Sequence, residues 1–600
     1  MRINFLPKLA LAGILCASLH AADATVKFES VSLADAQREQ AGLTQTGTSA
    51  AMFIWSDKYV YQPGETLTLR GTIKPNNDFY PYTIFAFRIN NQTGVKTYLP
   101  GGTTSPTDIF GRTAEQGYNI TRLQAVDRGV LVGAGGSISP SPATIPNELG
   151  MHTFVVQIRD FSGTNTIKSA YMKIGVVDGF DDIQGNIDTS RTFVNTRAYR
   201  LTGVVFVRNN AVLTIQPGTF IIGQPGSQPP SVLVIARTAR IEANGTRSRP
   251  IVMTSSQPFG QRRRGDWGGL ILLGSATGNV AGNNNPIEGL PTTEDSRWGG
   301  SNDDHNCGTL RYVRVEFAGA ELAPNNETNG ITWGGCGRQT TSEYLQSAYG
   351  FDDAFEWFGG TNDAKYLVGN NAADDYVDVQ LGYRGRIQYV IAVQSPENRG
   401  NRGIEADNSE FDFTATPIGR VGYWNMTFVG SGQPGFDEAN SPGIFMRRGA
   451  QGSLNNLLVT NFNSTGIQLV DAPTVAALDG QAGQNTTVNG LLLWNNGRGT
   501  NSPNTLVGQA DTALQTWLGG TRGTSANVIV ADPLLRRPFE YSDPDYRPLP
   551  GSPALRAGLI QAPDNGFFDQ KADFIGAFGE VDWTEEWVNW LQESDIRNPQ

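Results

Sequence analysis

Short apolar stretches, each followed by Gly, Asn or Asp, recur along the chain from about residue 199 to residue 581. Each stretch holds only about four to eight residues, a length typical of strands rather than helices. No sustained helical period occurs in this part of the sequence before its C-terminal end. Short strands separated by turn residues at regular intervals predict a solenoid, in which each repeat packs on the next.

The spacing of tyrosines indicates the length of one repeat. Tyr344, Tyr366 and Tyr389 precede similar apolar residues at intervals of 22 and 23, and Tyr423 follows after 34. A base period of about 22, lengthened in some repeats by about 10 residues, fits a coil of three short strands with one extendable loop. At roughly 25 to 30 residues per coil, the region holds about 12 to 14 coils, stacked at the strand spacing of about 4.8 Å.

The N-terminal residues carry a different pattern. Arg2 and Lys8 precede an apolar run over residues 9–19, and small residues follow it, as in a secretory signal peptide. We therefore predict a signal peptide over residues 1–21, a polar linker or arm over residues 22–50, and export of the mature chain. No other apolar run approaches the length of a transmembrane helix, so we expect no transmembrane segment.

Residues 51–178 consist of alternating or β-branched runs separated by turn residues, which predicts a β domain. Residues 179–198 are predicted to link it to the solenoid. Within the domain, residues 56–65 resemble the first strand and turn of macroglobulin-type and other immunoglobulin-like bacterial domains. The resemblance implies a β-sandwich of the kind that acts as a spacer or adhesion module.

The C-terminal end shows the one helical pattern of the mature sequence. Trp583, Trp587, Trp590 and Leu591 are spaced as on one face of an amphipathic helix. The end of a solenoid exposes an apolar cross-section that needs a cap. We therefore predict that residues 582–600 form a short capping helix and a tail.

Several motifs resemble those of one class of protein. Residues 212–219 resemble the opening coils of secreted bacterial right-handed parallel β-helix proteins, and residues 548–558 resemble their last coil. Residues 352–361 and 574–584 resemble one group of uncharacterised exported β-helix proteins. The resemblance implies an all-β chain with a right-handed parallel β-helix over residues 199–581. It places the protein outside or on the surface of a bacterial cell rather than in the periplasm, and it implies no particular reaction.

Composition restricts the function further. Lys and Arg number 46 and Asp and Glu 57, a formal net charge of −11 that disfavours a nucleic-acid partner. The three His and three Cys argue against zinc sites rich in these residues. Without the signal peptide, Cys307 and Cys336 remain, each in a Gly-rich segment. An oxidising compartment favours a disulfide between them, and two separate buried thiols are the alternative.

Acidic residues recur at the repeat period, because the pattern Asp-Asp-x-x-(Glu/Asp) occurs twice, 22 residues apart. Carboxylates stacked one coil apart repel each other by about 1 kcal/mol or more. Three outcomes remain open: the side chains diverge into solvent or cap turn amides, they share a Ca²⁺ ion, or they share a proton as a catalytic pair. The residues concerned, which are the candidate Ca²⁺ ligands, are Asp352, Asp353, Glu356, Asp374, Asp375 and Asp378.

If the protein is an enzyme, Asp353 and Asp375 are the candidate catalytic acids and Arg384 is the candidate base. β-helix polysaccharide lyases pair Ca²⁺-binding Asp with Arg or Lys, and β-helix glycosidases use clustered Asp. The sequence lacks the Gly-His-Gly and Arg-Ile-Lys patterns of polygalacturonase-like enzymes, which disfavours a hydrolase. The aromatic candidates for ligand binding offer sugar-stacking faces, with core packing as the alternative. The candidate binding residues are Trp357, Tyr376, Tyr383, Glu405 and Asp407.

Three functional hypotheses follow. The first is an exported structural or adhesion protein, not an enzyme, that binds a polysaccharide or a cell-surface or matrix component along a rigid β-helix. The second is a carbohydrate-active enzyme, a polysaccharide lyase before a glycoside hydrolase, with Ca²⁺ as its cofactor. The third is a subunit of a surface fibre or layer that associates with itself.

Overall fold

The computed structural model describes most of the chain between residues 51 and 593. The predicted signal peptide and arm, residues 1–50, lie outside the described residues. No helix in the described part of the chain is long and apolar enough to cross a bilayer. The described ranges are 51–67, 70–74, 81–99, 118–119, 126–127, 130–131, 143–144, 148–159, 166–323, 326–394, 400–431, 441–478, 486–497, 528–570 and 572–593.

The described residues of the N-terminal region form strands that pair mainly antiparallel. These strands are β1 (Ala51–Trp55), β2 (Val60–Tyr61), β3 (Thr66–Leu67), β4 (Arg70–Lys74), β5 (Pro81–Asn90), β6 (Lys96–Leu99), β7 (Tyr118–Asn119), β8 (Val126–Asp127), β9 (Val130–Leu131), β10 (Ala143–Thr144), β11 (Gly150–Arg159) and β12 (Thr166–Val176). The main sheet has the order β2-β12-β11-β5-β6. An immunoglobulin-like topology for this region stays a prediction.

From Phe180 onward the chain winds into parallel coils. The strands, with the one short helix of this region's described residues, are β13 (Phe180–Gln184), β14 (Arg191–Phe193), β15 (Ala198–Thr202), β16 (Val204–Val207), β17 (Val212–Ile215), β18 (Phe220–Gly223), β19 (Val232–Ile235), β20 (Arg240–Asn244), β21 (Ile251–Ser255), β22 (Leu270–Leu273), β23 (Asn285–Pro286), β24 (Arg297–Trp298), β25 (Gly308–Glu316), β26 (Glu321–Ala323), β27 (Asn326–Glu327), β28 (Ile331–Gly334), β29 (Thr341–Ala348), β30 (Phe355–Phe358), β31 (Ala364–Asn370), β32 (Val377–Gln380), β33 (Arg386–Val393), β34 (Ile404–Asp407), β35 (Arg420–Val429), β36 (Ile444–Arg447), β37 (Gln451–Thr460), β38 (Ile467–Leu469), α1 (Ala472–Ala476), β39 (Thr487–Asn489), β40 (Leu491–Trp494), β41 (Val528–Val530), β42 (Leu535–Arg537) and β43 (Asp545–Pro548).

Two long parallel sheets run the length of the stack, so the chain is an all-β parallel β-helix. The larger sheet follows β13-β15-β18-β21-β25-β29-β31-β33-β35-β37-β40-β41, which is twelve rungs and lies within the predicted range. The second sheet, which we call the narrow sheet, follows β16-β19-β22-β28-β30-β32-β34-β36-β38. Inward-facing apolar side chains of successive coils form one continuous core from Ile183 to Leu493.

A sharp corner divides the long strands of the larger sheet. β25 pairs with β20 through residues 308–311 and with β21 through residues 313–315, so Tyr312 stands at the corner. Tyr312 has a φ of 48°, in the left-handed region that Asn tolerates better than Tyr. Tyrosine ring stacking, with centroids 4.3, 4.4 and 4.8 Å apart along the stack, offsets that cost. The equivalent corners in later coils are Tyr344, Tyr366, Tyr389, Asn425 and Asn456, all with positive φ.

The tyrosine spacing that gave the repeat length is therefore the distance in sequence between successive corners. Tyr423 is the exception. Ile387 pairs with Tyr423, which places Asn425 rather than Tyr423 opposite Tyr389. Tyr423 is fully buried in the core of the helix. The last interval of the tyrosine series thus joined a corner residue to a core residue two positions away.

The β-helix begins earlier than the sequence predicted. β13 and β14 lie within residues 179–198, which were expected to be a linker, and they pair in parallel with β15 and β17. The physical reason is that Ile183, Ile187 and Phe193 are apolar residues that join the core of the stack. The supposed linker is the first coil.

The predicted capping helix is also corrected. Residues 583–587 form a turn, and the chain runs on without helix until Glu593. The segment 574–593, which we call the C-terminal strap, does not cap the stack but crosses the outside of the larger sheet. Its hydrogen bonds reach Asn456, then Gln346, then Gly260, each in an earlier coil.

The tryptophans of the strap pack on the corner tyrosines. Trp587 is fully buried and meets Tyr312 and Tyr344 edge-on, with ring centroids 5.5 and 6.1 Å apart. Trp583 meets Tyr366 in the same way at 5.2 Å. The tryptophan spacing that predicted one face of a helix therefore matches the row of stacked corner tyrosines instead. A turn followed by extended chain places the tryptophans on that row without a helix.

The predicted disulfide joins Cys307 and Cys336, whose Cα atoms are 5.9 Å apart and whose sequence separation is 29. It links neighbouring coils inside the core. Replacing both residues with alanine is expected to lower the free energy of unfolding by about 3 kcal/mol, because the unfolded chain regains the freedom of that loop. Denaturant unfolding of the double variant beside the oxidised wild type measures this, and equal midpoints would contradict it.

Candidate functional site

A ladder of acidic side chains lies on the outer face of the narrow sheet. Cross-strand pairing places Glu356 of β30 beside Asp378 of β32, and Asp378 beside Glu405 of β34. Side chains alternate along each strand, so Phe355 and Trp357 enter the core while Glu356 points away from it. The predicted stacking of Glu356 on Asp378 is therefore what the register shows.

A second ladder stands in the turns that precede these strands. Asp353 donates its backbone N–H to Asn329 Oδ1 at 3.1 Å, and Asp375 donates its own to Asp353 Oδ1 at 2.8 Å. Arg402 continues the series by donating its backbone N–H to Asp375 Oδ1 at 2.6 Å. Each side chain thus caps an amide of the next coil, which is the turn-capping outcome that the sequence left open.

Capping does not use all of the carboxylate oxygens, and those of neighbouring coils converge. One oxygen from each of Asp352, Asp353 and Asp374 lies within 4.8 Å of the others. The same holds for Asp353, Glu356 and Asp378, so Asp353 belongs to both groups. We call these five residues the acidic patch.

Arginines form ion pairs with the acids of the next rung, Glu405 and Asp407. Glu405 and Asp407 pair with Arg447, and Glu405 also pairs with Arg402 at 2.6 Å. Arg448 holds Asp407 at 2.7 Å. Within the described ranges, by contrast, no Lys or Arg forms an ion pair with Asp352, Asp353, Glu356 or Asp378. The rungs of β30 and β32 thus contain carboxylates that have no ion-pair partner among the described residues.

Hydrogen bonds satisfy only part of this charge. Glu356 accepts from the side-chain amides of Asn329 and Gln380, the latter at 2.8 Å. Asp378 is 9% exposed, and its Oδ1 is buried with no hydrogen-bond partner among the described residues. A buried carboxylate oxygen without a donor is costly unless a proton or a cation reaches it.

The electrostatics of the acidic patch favour bound protons in the absence of a cation. Burial, and then the Asp374 carboxylate, raise the pKa of Asp352 to about 8. Burial and neighbouring carboxylates also raise the pKa of Asp353, Glu356 and Asp378 well above the usual range. The raised pKa values mean that full ionisation of the four carboxyl groups is energetically unfavourable in the folded protein.

The pKa values of Asp375 and Glu405, which lie on successive coils, shift in opposite directions. Burial raises the pKa of Asp375 well above its usual value, and Asp374 adds to this effect. For Glu405, a hydrogen bond with Asp375 and the charges of Arg402 and Arg447 outweigh burial and lower the pKa. Of this pair, Glu405 is therefore the more acidic residue and Asp375 the less acidic one.

Several predicted site residues lie elsewhere. Arg384 pairs with Asp303, Nη2 to Oδ2 at 2.9 Å, so it is not brought to the acids. The arginine that pairs with Asp375 is Arg402, 3.1 Å away. The sequence interval could have indicated Arg402, because it stands one coil after Asp375, but the longer loop of that coil obscures the period.

The aromatic candidates are core residues, which corrects their predicted binding role. Trp357, Tyr376 and Tyr383 are 0%, 0% and 1% exposed and belong to the interior cluster. Trp357 stacks on Trp333 with ring centroids 4.5 Å apart. Because no sugar can reach them, they shape the coils beneath the acidic patch and do not bind a ligand.

The residues that sequence reasoning missed surround the acidic patch. Glu288, in the turn after β23, and Glu327, at the end of β27, raise the pKa of Asp352 by their charge. The two segments are joined by a hydrogen bond from Gly289 N to Asn326 Oδ1 at 2.8 Å. Neither acid shares the 22-residue interval, so only the folded chain reveals their proximity.

Fold and site together define a parallel β-helix protein with a concentrated acidic patch on one sheet. The family model of the pectate-lyase-like β-helix domain matches residues 185–525, and the chain belongs to that family. Among solved structures, the family 28 exopolygalacturonase of Yersinia enterocolitica is similar at 8% identity, over 74% of this chain and 91% of that one. Its TM-score is 0.19, so nothing about function is drawn from it. A search of curated proteins finds no match.

Proposed function

We propose that this protein is a carbohydrate-active enzyme, a polysaccharide lyase that binds a divalent cation on the acidic patch and acts on an anionic polysaccharide. The observation that carries the proposal is the charge imbalance. Arginines form ion pairs with Glu405 and Asp407, whereas no Lys or Arg among the described residues forms an ion pair with Asp353, Glu356 or Asp378. Membership of the pectate-lyase-like family favours this hypothesis over a purely structural or adhesive role.

Ca²⁺ fits the donor set best. The converging ligands are carboxylate oxygens alone, from Asp352, Asp353, Asp374, Glu356 and Asp378, and Ca²⁺ takes several oxygen ligands in flexible geometry. Softer metals would favour His or Cys, and neither is among these ligands. A bound cation supplies positive charge that attracts and neutralises the carboxylate of a uronate sugar.

The chain's own residues set the rest of the site. Arg402 holds Asp375 and Glu405 in place through its guanidinium, which also lies 4.7 Å from the Phe445 ring centroid. The two carboxylates raise the pKa of Arg402 further, so it positions neighbouring groups and does not accept a proton. Asp352 and Asp374 are half-buried and are the acids of the patch that solvent or a sugar can reach.

A glycoside hydrolase is the second candidate. The observation that favours it is the pKa of about 8 that burial and Asp374 confer on Asp352. A carboxyl group that stays protonated near neutral pH suits a general acid that protonates a leaving sugar. The two reactions differ in product, because only the lyase creates a double bond in the uronate ring.

Asp378→Asn is expected to lower turnover of a polyuronate by about 100-fold or more, because it removes a charged cation ligand. The assay follows ultraviolet absorbance of unsaturated product and, separately, reducing ends, with added Ca²⁺ and with EDTA. Asp182→Asn is the matched control, since its exposed carboxylate lies on β13, several coils away. Reducing ends without ultraviolet absorbance would indicate a hydrolase, and binding without turnover would return the protein to the adhesion hypothesis.

We further propose that the mature chain is exported from a bacterial cell after removal of residues 1–21, with an immunoglobulin-like N-terminal domain as a spacer. The charged, apolar and small-residue pattern of this segment supports export. The Cys307–Cys336 disulfide is consistent with an oxidising compartment. N-terminal sequencing of the secreted chain tests this directly.

A further inference from the structure

Exposed aromatic rings are few in the described residues, and they are concentrated beside the acidic patch. Phe351, Phe411, Phe413 and Phe539 are the exposed phenylalanines in that part of the chain. Phe351 directly precedes Asp352 of the patch. Phe411 and Phe413 lie in the loop after β34, while Phe539 lies between β42 and β43 on another part of the molecule.

Electrostatic contacts connect the Phe411 loop with the patch. Glu410, the residue before Phe411, lies 3.9 Å from Arg448, which also holds Asp407. Glu410 and Glu288 interact through their charges, and Glu288 acts in the same way on Asp352. The loop after β34 therefore borders the same acidic surface as Phe351.

The two most exposed rings stand at opposite ends of this surface. Phe351 precedes β30, Phe411 follows β34, and β32 lies between these two strands. Two strand intervals place the rings at least about 10 Å apart along the stack. A ligand that touches both must therefore be longer than one sugar and must cross the acidic patch.

Both rings are carried on hydrogen-bonded backbone and are not buried by the protein. Phe351 is 45% exposed, and its N–H donates to Ala318 O at 2.9 Å. Phe411 is 73% exposed, and its N–H donates to Ser409 Oγ at 3.3 Å. The Asn408 side chain holds the same loop by donating to Phe413 O. A ring on an ordered backbone loses little conformational entropy when a ligand binds. Exposed apolar surface of this kind, rimmed by polar residues, is typical of interaction sites.

We propose that Phe351 and Phe411 are stacking residues for a polysaccharide chain that lies across the acidic patch. Each ring contacts the apolar C–H face of a sugar unit, while an anionic unit between them binds at the patch. This inference rests on the proposed function and adds to it the direction of the chain, diagonally across the strands from the start of β30 to the end of β34. It also assigns the stacking role to residues other than the buried Trp357, Tyr376 and Tyr383.

The test compares a polymer with a single sugar. Affinities of the full-length mature chain with Ca²⁺ are measured by calorimetry for polygalacturonate, alginate and hyaluronate, and for galacturonate as the monomer. Phe351→Ala and Phe411→Ala are each expected to weaken polymer binding about tenfold, which is the scale of one aromatic contact. The monomer occupies the patch alone, so its affinity is expected to stay unchanged.

Phe539→Ala is the control, because it also removes one exposed phenylalanine ring. Phe539 lies between β42 and β43, in a segment whose Asp543 pairs with Lys168 of the N-terminal region rather than with the acidic patch. Thermal unfolding of all three variants should match wild type. If the wild type binds polymers and both patch variants bind equally well, the stacking role is overturned and the proposed function stands. If the wild type binds none of the polymers, the proposed function fails and the stacking role with it.

Discussion

Replacing Arg262 with alanine is expected to destabilise the folded protein by about 3–5 kcal/mol, the scale for removing one partner of a buried ion pair. The Arg262 side chain is 1% exposed and pairs with Glu593 Oε1 at 2.5 Å and with Glu316 Oε2 at 3.7 Å. Its guanidinium also stacks on Phe259, 3.8 Å from the ring centroid. Without it, two buried carboxylates lose positive charge at once. Urea unfolding of the full-length mature chain measures the loss.

The neighbouring Arg263 provides the matched control. Arg263 is exposed, so Arg263→Ala is expected to change the free energy of unfolding by no more than about 0.5 kcal/mol. A double-mutant cycle with Glu593→Gln then isolates the contact between the coil and the C-terminal strap. Equal stability of the Arg262 and Arg263 variants would show that the strap does not depend on this ion pair.

Ca²⁺ is expected to stabilise the protein strongly at about pH 8 and weakly at about pH 5. At about pH 8, a Ca²⁺ concentration of about 1,000 times its Kd should raise the free energy of unfolding by about 4 kcal/mol. Folding raises the pKa of Asp352, Asp353, Glu356 and Asp378. For acids shifted in this direction, stability is fully present below the unfolded pKa of about 4 and is lost as the pH rises through the folded value. For Asp352 the folded pKa is about 8.

In EDTA, thermal unfolding should therefore occur at a lower temperature at about pH 8 than at about pH 5. Glu405 and Glu316, whose pKa values are lowered, contribute stability that is lost only below about pH 4, so they do not reverse this trend. Asp353→Asn should reduce both the pH dependence and the Ca²⁺ effect, whereas Asp182→Asn should reduce neither. Identical melting with and without Ca²⁺ at about pH 8 would exclude the acidic patch as a cation site.

Some of the features behind these predictions could be inferred from the sequence, and others could not. The period of 22 residues was enough to place Glu356 beside Asp378 and Asp353 beside Asp375, because parallel coils keep equivalent residues in register. It also predicted a solenoid and its number of coils, and the resemblance of residues 212–219 and 548–558 to known coils identified the solenoid as a parallel β-helix. Cys307 and Cys336 followed from composition and compartment.

Other features depended on contacts between distant residues. Arg402, and not the candidate base Arg384, pairs with Asp375, because the length of a loop rather than the repeat decides which arginine reaches the acids. Trp357 proved to be core because one position along a strand exchanges the inner and outer faces, and residues 355–358 carry apolar side chains on both sides of Glu356.

The sequence by itself determined the solenoid, its repeat and the acidic ladder, because those features arise from local strand preference and from interactions between adjacent coils. Only the tertiary structure decided the path of the C-terminal strap, the burial of Arg262 and the proximity of Glu288 to Asp352. Arg262 and Glu593 are 331 positions apart in the sequence. Contacts at such a separation follow no period, and they form only where the surfaces of a completed stack offer a partner of matching shape and charge.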